Sequence, residues 1–527
     1  MDKMLGIMID CSRSAVMSVE TVKEYANIVG KMGYNTIMLY TEDTYEVDNQ
    51  PLFGHLRGRY SKAELKEIDD YCHSIGIEVV PCIQTLAHLE AMFRWANYND
   101  VNDCDNILLA GEEKTYKLIE DMISSLSQCF RTDKIHIGMD EAYRVGTGEY
   151  QRRHGIEDRF DIINNHLHRV CEIAKKYNYE PMVWSDMFCK LAFDIKSQYD
   201  AVDSSKILEK AKLPDNISLV YWDYYSTDYD HYISQIKTNK LFGRKVYFAG
   251  GAWTWRGFTP ENEFSIKATE KAFAACRDDG VDGVFLTMWG DNGSECSKYA
   301  VLPSLMYAAE AYRGNFDMDD IKAKFKEIVG CDFDNFMLLD KLSTPGGKHP
   351  EGAHKYLLYS DCFLGINDSR CSVGDGEYYK KLSEEIQNMG CTCKYAKMFE
   401  FYRCLANALA IKAPLGIKTR EAYLSGDKTK LSEIAAEYDE LLIRLEELHK
   451  AFQKLWFSEN KPHGFDVHDI RLGGLIMRVK SCKVRLEEYI KGEIQSIPEL
   501  EEPVIEASIN HGGWWPEVSS PNSVSGI

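Results

Sequence analysis

The first part of the chain alternates between short apolar runs and longer segments with helical periodicity. Eight apolar runs lie before residue 300, and each is followed by a more polar segment. The runs are almost continuously apolar, which is typical of parallel strands buried on both faces. The predicted strands are Leu5–Ile9, Thr36–Tyr40, Ile77–Ile83, Lys134–Gly138, Pro181–Trp184, Ile217–Trp222, Lys245–Ala249 and Gly283–Met288.

The segments between the runs have the spacing of amphipathic helices. Ser18 is placed to cap the first helix, and Ser61 with Glu64 has the spacing of a capping box at the start of the second. One face of the first predicted helix carries Val22, Tyr25, Val29 and Met32. Apolar residues three and four positions apart line up on one side of a helix, so both segments are predicted to be helical.

Eight consecutive strand-then-helix units predict a (β/α)8 TIM barrel at residues 1–315. A doubly wound open sheet is the alternative, because a count of strands does not distinguish the two. No GxGxxG pattern follows the first predicted strand, which argues against a dinucleotide-binding open sheet. We therefore predict an α/β fold with a barrel as its first domain.

Beyond residue 320 the strand-like runs disappear and helical spacing dominates. A heptad-like seam on one long predicted helix runs through Ile434, Tyr438, Leu441, Leu445, Leu448, Phe452 and Leu455. A second long helix is predicted at Leu472–Ile490. The tail carries Trp514 and Trp515, which should pack on the body of the protein. Residues 316–527 are therefore predicted to form a mostly α-helical C-terminal domain, whose seam favours packing in a bundle over a dimerising coiled coil.

The charge balance limits the partners that the chain is expected to bind. There are 62 Lys and Arg residues against 82 Asp and Glu residues, for a formal charge of −20. Such an excess repels nucleic acid and anionic lipid, and no apolar stretch approaches the ~20 residues of a membrane helix. The N-terminal apolar run is too short for a signal peptide. We expect a cytoplasmic monomer or homodimer that binds neither nucleic acid nor membrane.

The predicted strand ends carry carboxylates, aromatic residues and one arginine. Reactive groups of a barrel lie at these ends, and this set suits a sugar, whose C–H face stacks on aromatic rings. The adjacent pair Asp140 and Glu141 at the end of the fourth strand is the most specific feature. Most glycosidases place two separate carboxylates across the bond. A consecutive pair instead suits a reaction in which the glutamate protonates the leaving oxygen and the aspartate orients a 2-acetamido group of the substrate.

The residues around this pair resemble the glycoside hydrolase family 20 β-N-acetylhexosaminidases. His136-Ile137-Gly138-Met139-Asp140-Glu141 resembles the His-Xaa-Gly-Gly-Asp-Glu signature of that family. Further matches follow in chain order at other strand ends: Arg13, Pro81 with His88, Trp184, Tyr221-Trp222-Asp223 and Trp289-Gly290-Asp291. The resemblance covers residues 4–300 and departs from the family where Met139 replaces a glycine, Gln84 replaces an aspartate and Asp291 replaces a glutamate.

The resemblance implies a role for each matched residue. Asp140 would hold the acetamido nitrogen, Tyr221 the acetamido oxygen, and Glu141 would act as acid and then as base. The other implied substrate-binding residues are Arg13, His88, Trp184, Asp223, Trp253, Trp289 and Asp291. The expected reaction is release of a terminal β-linked N-acetylhexosamine from a small oligosaccharide, through an oxazolinium intermediate and with retention.

Two other functions remain open at this point. One is a retaining glycosidase with a separate carboxylate nucleophile, and the other is a sugar-binding protein without activity. Neither a phosphate-binding loop nor a cluster of metal ligands is evident in the sequence, so we predict no cofactor and no metal.

Overall fold

The computed structural model describes residues 3–200, 202, 211–345, 352–389, 394–506 and 514–522. The chain divides into two compact units. The first comprises Met1–Ala252, Phe264–Met288 and Ser304–Ile321. The second comprises Trp253–Glu263, Trp289–Pro303 and Lys322–Ile527, so two loops of the N-terminal part group with the C-terminal part.

The first unit contains a closed barrel of eight parallel strands. Its strands are β1 (Met4–Asp10), β2 (Thr36–Tyr40), β3 (Glu78–Cys82), β4 (Lys134–His136), β5 (Glu180–Trp184), β6 (Ser218–Trp222), β7 (Lys245–Gly251) and β8 (Gly283–Met288). Strand β1 pairs with both β2 and β8, which closes the sheet. This confirms the predicted barrel and excludes the open sheet.

Helices follow the strands around the barrel. They are α1 (Val19–Met32), α2 (Lys62–Ser74), α3 (Glu113–Ser127), α4 (Glu149–His154), α5 (Arg159–Lys176), α6 (Asp186–Phe193), α7 (Tyr229–Lys240), α8 (Asn262–Asp279) and α9 (Leu302–Tyr312). The predicted caps are confirmed: the Ser18 side chain accepts the N–H of Thr21, and Ser61 with Glu64 closes a capping box. A short antiparallel ribbon, Asn102–Cys104 with Ile107–Leu108, lies between β3 and α3 in the chain.

The C-terminal part is helical, as predicted. Its helices are α10 (Met318–Val329), α11 (Phe333–Met337), α12 (Ala353–Tyr359), α13 (Gly374–Asn388), α14 (Ala396–Leu424), α15 (Lys428–Glu459), α16 (Phe465–Lys491), α17 (Pro498–Glu501) and α18 (Trp515–Ser519). Helices α13 to α16 pack consecutively, and every residue of the predicted seam on α15 is buried. None of the described helices has both the length and the apolar character needed to cross a membrane.

The tail only partly follows its prediction. Trp515 packs edge-on against Tyr359, with 6.4 Å between the ring centroids. Trp515 is half-buried and Trp514 is 53% exposed, so neither indole is fully buried.

Candidate active site

The turn after β4 brings two consecutive carboxylates to one side. Gly138, Met139 and Glu141 have φ angles of 75°, 73° and 51°, all in the left-handed region. In an extended strand, consecutive side chains would point to opposite faces. Here Nε2 of His88 lies 3.2 Å from Oδ2 of Asp140 and 3.6 Å from Oε2 of Glu141. The strained turn therefore directs both carboxylates toward the same imidazole.

Asp140 is the less exposed member of the pair, with a side chain that is 13% exposed. Its Oδ1 accepts a hydrogen bond of 2.6 Å from Nε2 of Gln84. Burial by itself would raise the pKa of Asp140, but the positive charge of His88 and the hydrogen bond from Gln84 outweigh it and lower the pKa. Asp140 is therefore held as a carboxylate.

His88 is held as a cation. Burial by itself would lower its pKa, but the carboxylate of Asp140 more than offsets this and raises the pKa to about 9. His88, Asp140 and Glu141 have ligand atoms within 4.8 Å of one another, which is also the spacing of a metal site. A metal binds neutral imidazole. Because His88 is protonated, these three side chains are better suited to proton transfer than to metal binding.

Glu141 is the accessible member, with 42% of its side chain exposed. Its backbone N–H donates to Oδ2 of Asp186 at 3.0 Å, and the Tyr143 hydroxyl donates to its Oε1 at 3.4 Å. A general acid must reach the substrate, whereas a residue that only orients the substrate can be buried. The exposure of Glu141 therefore suits a general acid, and the lower exposure of Asp140 suits a residue that orients the substrate.

Asp186 is a residue that the sequence analysis left out of the site. It begins α6 directly after β5 and is 2% exposed. Burial first and the negative charge of Asp140 second raise its pKa to about 7. Its position at a strand end was the available signal, but the contact with Glu141 joins residues 45 positions apart.

Gln84 was considered only as a departure from the family pattern, and it lies at the centre of the polar contacts. Its Oε1 accepts the N–H of Met139 at 3.1 Å, which fixes the orientation of the amide. Its Nε2 then donates to Asp140 and, at 2.9 Å, to the hydroxyl of Tyr40. Tyr40 in turn donates to Oε1 of Glu42 at 3.0 Å. The amide thus supplies donors where a carboxylate would have supplied only acceptors.

Arg13 lies at the far end of this chain of contacts. Its Nη1 is 3.4 Å from Oε1 of Glu42, and its side chain is 24% exposed. Burial raises the pKa of Glu42 to about 7, although the guanidinium of Arg13 partly offsets the effect. The first unit therefore connects Arg13 with Asp140 through Glu42, Tyr40 and Gln84.

Tyr221 and Asp223 contact each other at the end of β6. The Tyr221 hydroxyl donates to Oδ2 of Asp223 at 2.8 Å, and His231 contacts the same oxygen at 2.8 Å. The other oxygen of Asp223 accepts the backbone N–H groups of Tyr225 and Ser226. Asp223 is 2% exposed, so this geometry favours positioning of Tyr221 over direct contact with a sugar. His231 was not identified from the sequence, because it lies on α7 and reaches Asp223 only in the folded chain.

Trp184 lies inside the barrel at the end of β5. It is 1% exposed and packs on the rings of His136, at 4.3 Å, and Phe285, at 6.1 Å between centroids. Burial lowers the pKa of His136 to about 3, and its Nδ1 accepts the N–H of Gly138 at 3.1 Å. This neutral histidine supports the turn that carries Asp140.

The remaining implied substrate-binding residues, Trp253, Trp289 and Asp291, belong to the second unit. Trp253 stacks on Trp255 with 4.8 Å between centroids, so the two indoles form one aromatic surface. The carbonyl of Trp289 accepts hydrogen bonds from Thr254 Oγ1 at 2.6 Å and from Lys298 Nζ at 2.9 Å. These contacts join the loops that follow β7 and β8.

The loop that carries Asp291 is held by helix α16. Arg471 donates to the carbonyl and the side-chain oxygen of Asn292, both at 2.7 Å, and Nε2 of His468 lies 2.9 Å from the carbonyl oxygen of Gly293. Glu295 forms ion pairs with Lys355 at 2.7 Å and with Arg471 at 3.0 Å. The helical part of the second unit thus fixes the backbone on which Asp291 is carried.

Comparison with known proteins identifies the family of the chain. The profile of the glycosyl hydrolase family 20 catalytic domain matches residues 5–311, and that of the Glycoside Hydrolase 20C C-terminal domain matches residues 334–513. Hexosaminidase D from Homo sapiens is 23% identical over 396 residues, which cover 70% of this chain and 77% of that protein. Hexosaminidase D from Bos taurus is 25% identical over 332 residues, covering 57% of this chain and 89% of that protein.

A solved structure, the β-N-acetylhexosaminidase from Bacteroides fragilis, aligns with a TM-score of 0.48 and 20% identity over 62% of this chain and 70% of its own. The family profile covers more than half of the chain. The chain belongs to glycosyl hydrolase family 20 and is a glycoside hydrolase of the β-hexosaminidase type.

Proposed function

We propose that the protein is an exo-acting, retaining β-N-acetylhexosaminidase that uses the acetamido group of its substrate as the nucleophile. The observation that carries this proposal is the contact of His88 with both a largely enclosed, ionised Asp140 and an accessible Glu141. An ionised carboxylate fixed at one place suits the orientation of a group that becomes positive during the reaction. An exposed carboxyl beside it suits proton transfer.

In the first proposed step the acetamido carbonyl oxygen attacks C1 and the bond from C1 to the leaving oxygen breaks. Glu141 gives its proton to that oxygen, and Asp140 accepts the N–H of the acetamido group as the oxazolinium ring forms. In the second step water attacks C1 and reopens the ring, while Glu141 takes a proton from the water. Two inversions at C1 give net retention.

Tyr221 is proposed to hold the acetamido oxygen during ring closure. Its hydroxyl donates to Asp223, and a hydroxyl has only one proton to donate. Substrate must therefore draw this proton from Asp223 to the acetamido oxygen. His231 remains as a donor to the carboxylate of Asp223 when that happens. Substrate contacts by Arg13, His88, Trp184, Trp253, Trp289 and Asp291 are part of the same proposal, whereas Asp223 is proposed to act through Tyr221.

The proposed substrate is a small oligosaccharide in a reducing compartment such as the cytoplasm. No disulfide joins any of the fourteen cysteines among the described residues, and twelve of these cysteines are buried, which is typical of proteins that fold under reducing conditions. Fractionation of cells that express the tagged protein tests this assignment, and recovery from the medium or a secretory compartment would contradict it.

The experiment that tests the function is hydrolysis of the 4-nitrophenyl β-glycosides of N-acetylglucosamine, N-acetylgalactosamine, glucose and galactose. An N-acetylglucosamine thiazoline, which resembles the oxazolinium ring, is added in parallel. We expect turnover of the acetamido sugars alone, with inhibition by the thiazoline. Turnover of glucose or galactose that the thiazoline does not inhibit would point to a separate nucleophile. Binding of all four without turnover would point to a sugar-binding protein.

A further inference from the structure

A cavity of about 550 Å³ lies beside Glu141, entirely within the first unit. Its walls include His88, Glu90, Asp105, Glu141, Tyr143 and Arg144. Of the residues proposed to contact the terminal sugar, His88 lines the cavity, whereas Arg13, Trp184 and Tyr221 do not. The cavity therefore borders the proposed acid on a side away from these three residues.

This position has a chemical consequence that rests on the proposed function. A general acid that protonates the glycosidic oxygen must lie within hydrogen-bond reach of that oxygen. The oxygen belongs to the leaving group once the bond has broken. A cavity that borders Glu141 and is not lined by Arg13, Trp184 or Tyr221 is therefore placed to receive the leaving group.

The charges around the cavity do not balance. Asp105 forms an ion pair with Arg144, and His88 is paired with Asp140. Glu90 is exposed and has no cationic side chain within ion-pair distance among the residues that the structure describes. Glu90 thus adds a negative charge to the wall that no neighbouring side chain compensates.

Tyr143 provides an aromatic surface in the same wall. Its side chain is 45% exposed, and its hydroxyl donates to Oε1 of Glu141. The ammonium of Lys190 lies 4.2 Å from the ring centroid and helps to fix the ring. An exposed aromatic ring beside the acid is suited to stack on the C–H face of a second sugar.

We propose that this cavity binds the sugar that leaves, that Tyr143 stacks on it, and that Glu90 favours leaving sugars that carry an ammonium group over those that carry a carboxylate. The substrates selected by this site would be oligosaccharides in which the residue next to the terminal N-acetylglucosamine is neutral or is an amino sugar. Sulfated or uronic-acid neighbours would be disfavoured.

The test compares three disaccharides that differ only in the leaving sugar. Each has β-1,4-linked N-acetylglucosamine on N-acetylglucosamine, on glucosamine or on glucuronic acid. At pH 6 and low salt we expect kcat/KM to fall in the order glucosamine, N-acetylglucosamine, glucuronic acid, with about threefold to tenfold between the first and the last. Added salt should narrow this ratio because it screens exposed charges.

Two variants locate the effect. Glu90→Gln should reduce the glucosamine to glucuronic acid ratio by about threefold. The control Glu172→Gln removes an exposed negative charge from α5, away from the cavity, and should leave the ratio unchanged. Tyr143→Ala should raise KM for all three disaccharides by about fivefold, whereas Tyr143→Phe, which keeps the ring, should not. N-acetylglucosaminyl fluoride has almost no leaving group to bind, so its KM should be the same in the wild type and in both Tyr143 variants.

Each outcome decides a different point. If 4-nitrophenyl N-acetylglucosaminide is not hydrolysed, the proposed function fails and this inference fails with it. If that glycoside is hydrolysed but the three disaccharides react equally, or if Glu90→Gln leaves their ratio unchanged, the charge selection is wrong. If Tyr143→Ala leaves KM for the disaccharides unchanged, the cavity is not where the leaving sugar binds.

Discussion

Nε2 of Gln84 donates a 2.6 Å hydrogen bond to Oδ1 of Asp140, and this contact joins residues 56 positions apart. The N–H of Met139 on Oε1 of Gln84 prevents the amide from turning over, so the donor must face Asp140. A hydrogen bond donated to a carboxylate stabilises its charged form. Gln84 is therefore a positioning residue that keeps Asp140 oriented and ionised.

Gln84→Glu replaces this donor with a second carboxyl against Asp140. The two carboxyls repel each other when both are ionised, so the pKa of Asp140 should rise. We expect kcat/KM to fall by about tenfold to a hundredfold at pH 6, because this loss corresponds to the free energy of a hydrogen bond to a charged group. The acid limb of the pH profile should also move to higher pH.

The control for this variant is Gln151→Glu, the same change on the exposed surface of α4. It should change neither the rate nor the pH profile. A Gln84→Glu enzyme that is slower but has an unmoved acid limb would mean that Gln84 only packs in the site.

Gly138→Ala tests the turn after β4. A methyl group at this position would overlap Oε1 of Gln84 and the carbonyl of Ile83, in addition to the strain of a φ angle of 75°. Gly76→Ala is the matched control, because Gly76 has a φ angle of 81° and no heavy atom within 4 Å of the added carbon. Both variants should lose about 1 kcal/mol in the free energy of unfolding from the backbone strain.

Only Gly138→Ala should also lose activity, by about tenfold or more, because displacement of Gln84 removes a hydrogen bond from Asp140. Urea unfolding and kcat/KM on the nitrophenyl substrate separate the two effects. Equal activity in the two variants would contradict the role of Gln84 in holding Asp140.

Glu141→Gln and Asp140→Asn should respond differently to the leaving group. The Glu141→Gln variant, which lacks the general acid, should lose about 10² to 10⁴ in kcat on a simple alkyl glycoside. It should lose much less on a 2,4-dinitrophenyl glycoside, whose leaving oxygen needs no proton. Asp140→Asn should slow both substrates, because the acetamido group is no longer oriented by a negative charge. Full activity of Asp140→Asn on the activated substrate would contradict assistance by the acetamido group.

His88 should make the stability of the protein depend on pH. Its pKa is raised from 6.5 to about 9 in the folded state, so protonated His88 stabilises the fold most below pH 6.5. This contribution is lost as the pH rises through 9. The difference in the free energy of unfolding between the wild type and His88→Gln should therefore be larger at pH 6 than at pH 9.5. Urea unfolding at both pH values measures it, and an unchanged difference would mean that His88 is not charged in the folded protein.

Asp186 has the opposite effect on stability. Its pKa is raised from 3.8 to about 7, so ionisation is unfavourable in the folded state and destabilises the protein increasingly as the pH rises from 4 to 7. Asp186→Asn removes this cost and keeps an oxygen to accept the N–H of Glu141. We expect it to be about 1 to 4 kcal/mol more stable than the wild type at pH 8 and nearly equal at pH 4. Asp194→Asn, at an exposed position, should change neither value.

The sequence by itself determined the elements and the most specific chemical motif. Strand and helix positions, the caps at Ser18 and Ser61 and the buried seam of α15 follow from spacing within a few residues. Such patterns report which face of an element is buried, and this information is local. The pair Asp140 and Glu141 was found in the same way, as a short motif at the end of a strand.

The predicted strand bounds were least accurate at the end of β4, where the motif that carries Asp140 and Glu141 begins. Strand β4 ends at His136 rather than at Gly138, because residues 138 and 139 adopt left-handed backbone angles. Met139 takes a φ angle of 73° at the place where the family signature has glycine, a conformation that glycine adopts without steric cost. The residue that stood out as a departure thus keeps the backbone that the glycine would have had.

Only the tertiary structure decided which polar groups act together. Closure of the barrel between β1 and β8 brings together side chains from strand ends that are far apart in the chain. Gln84 reaches Asp140, Asp186 reaches the backbone of Glu141, and α16 holds the loop of Asp291 across 179 positions. No spacing rule along a sequence predicts such contacts, because their geometry arises from the packing of the whole chain. The sequence could therefore name the candidate catalytic pair, and only the fold could show what orients it and what sets its charge.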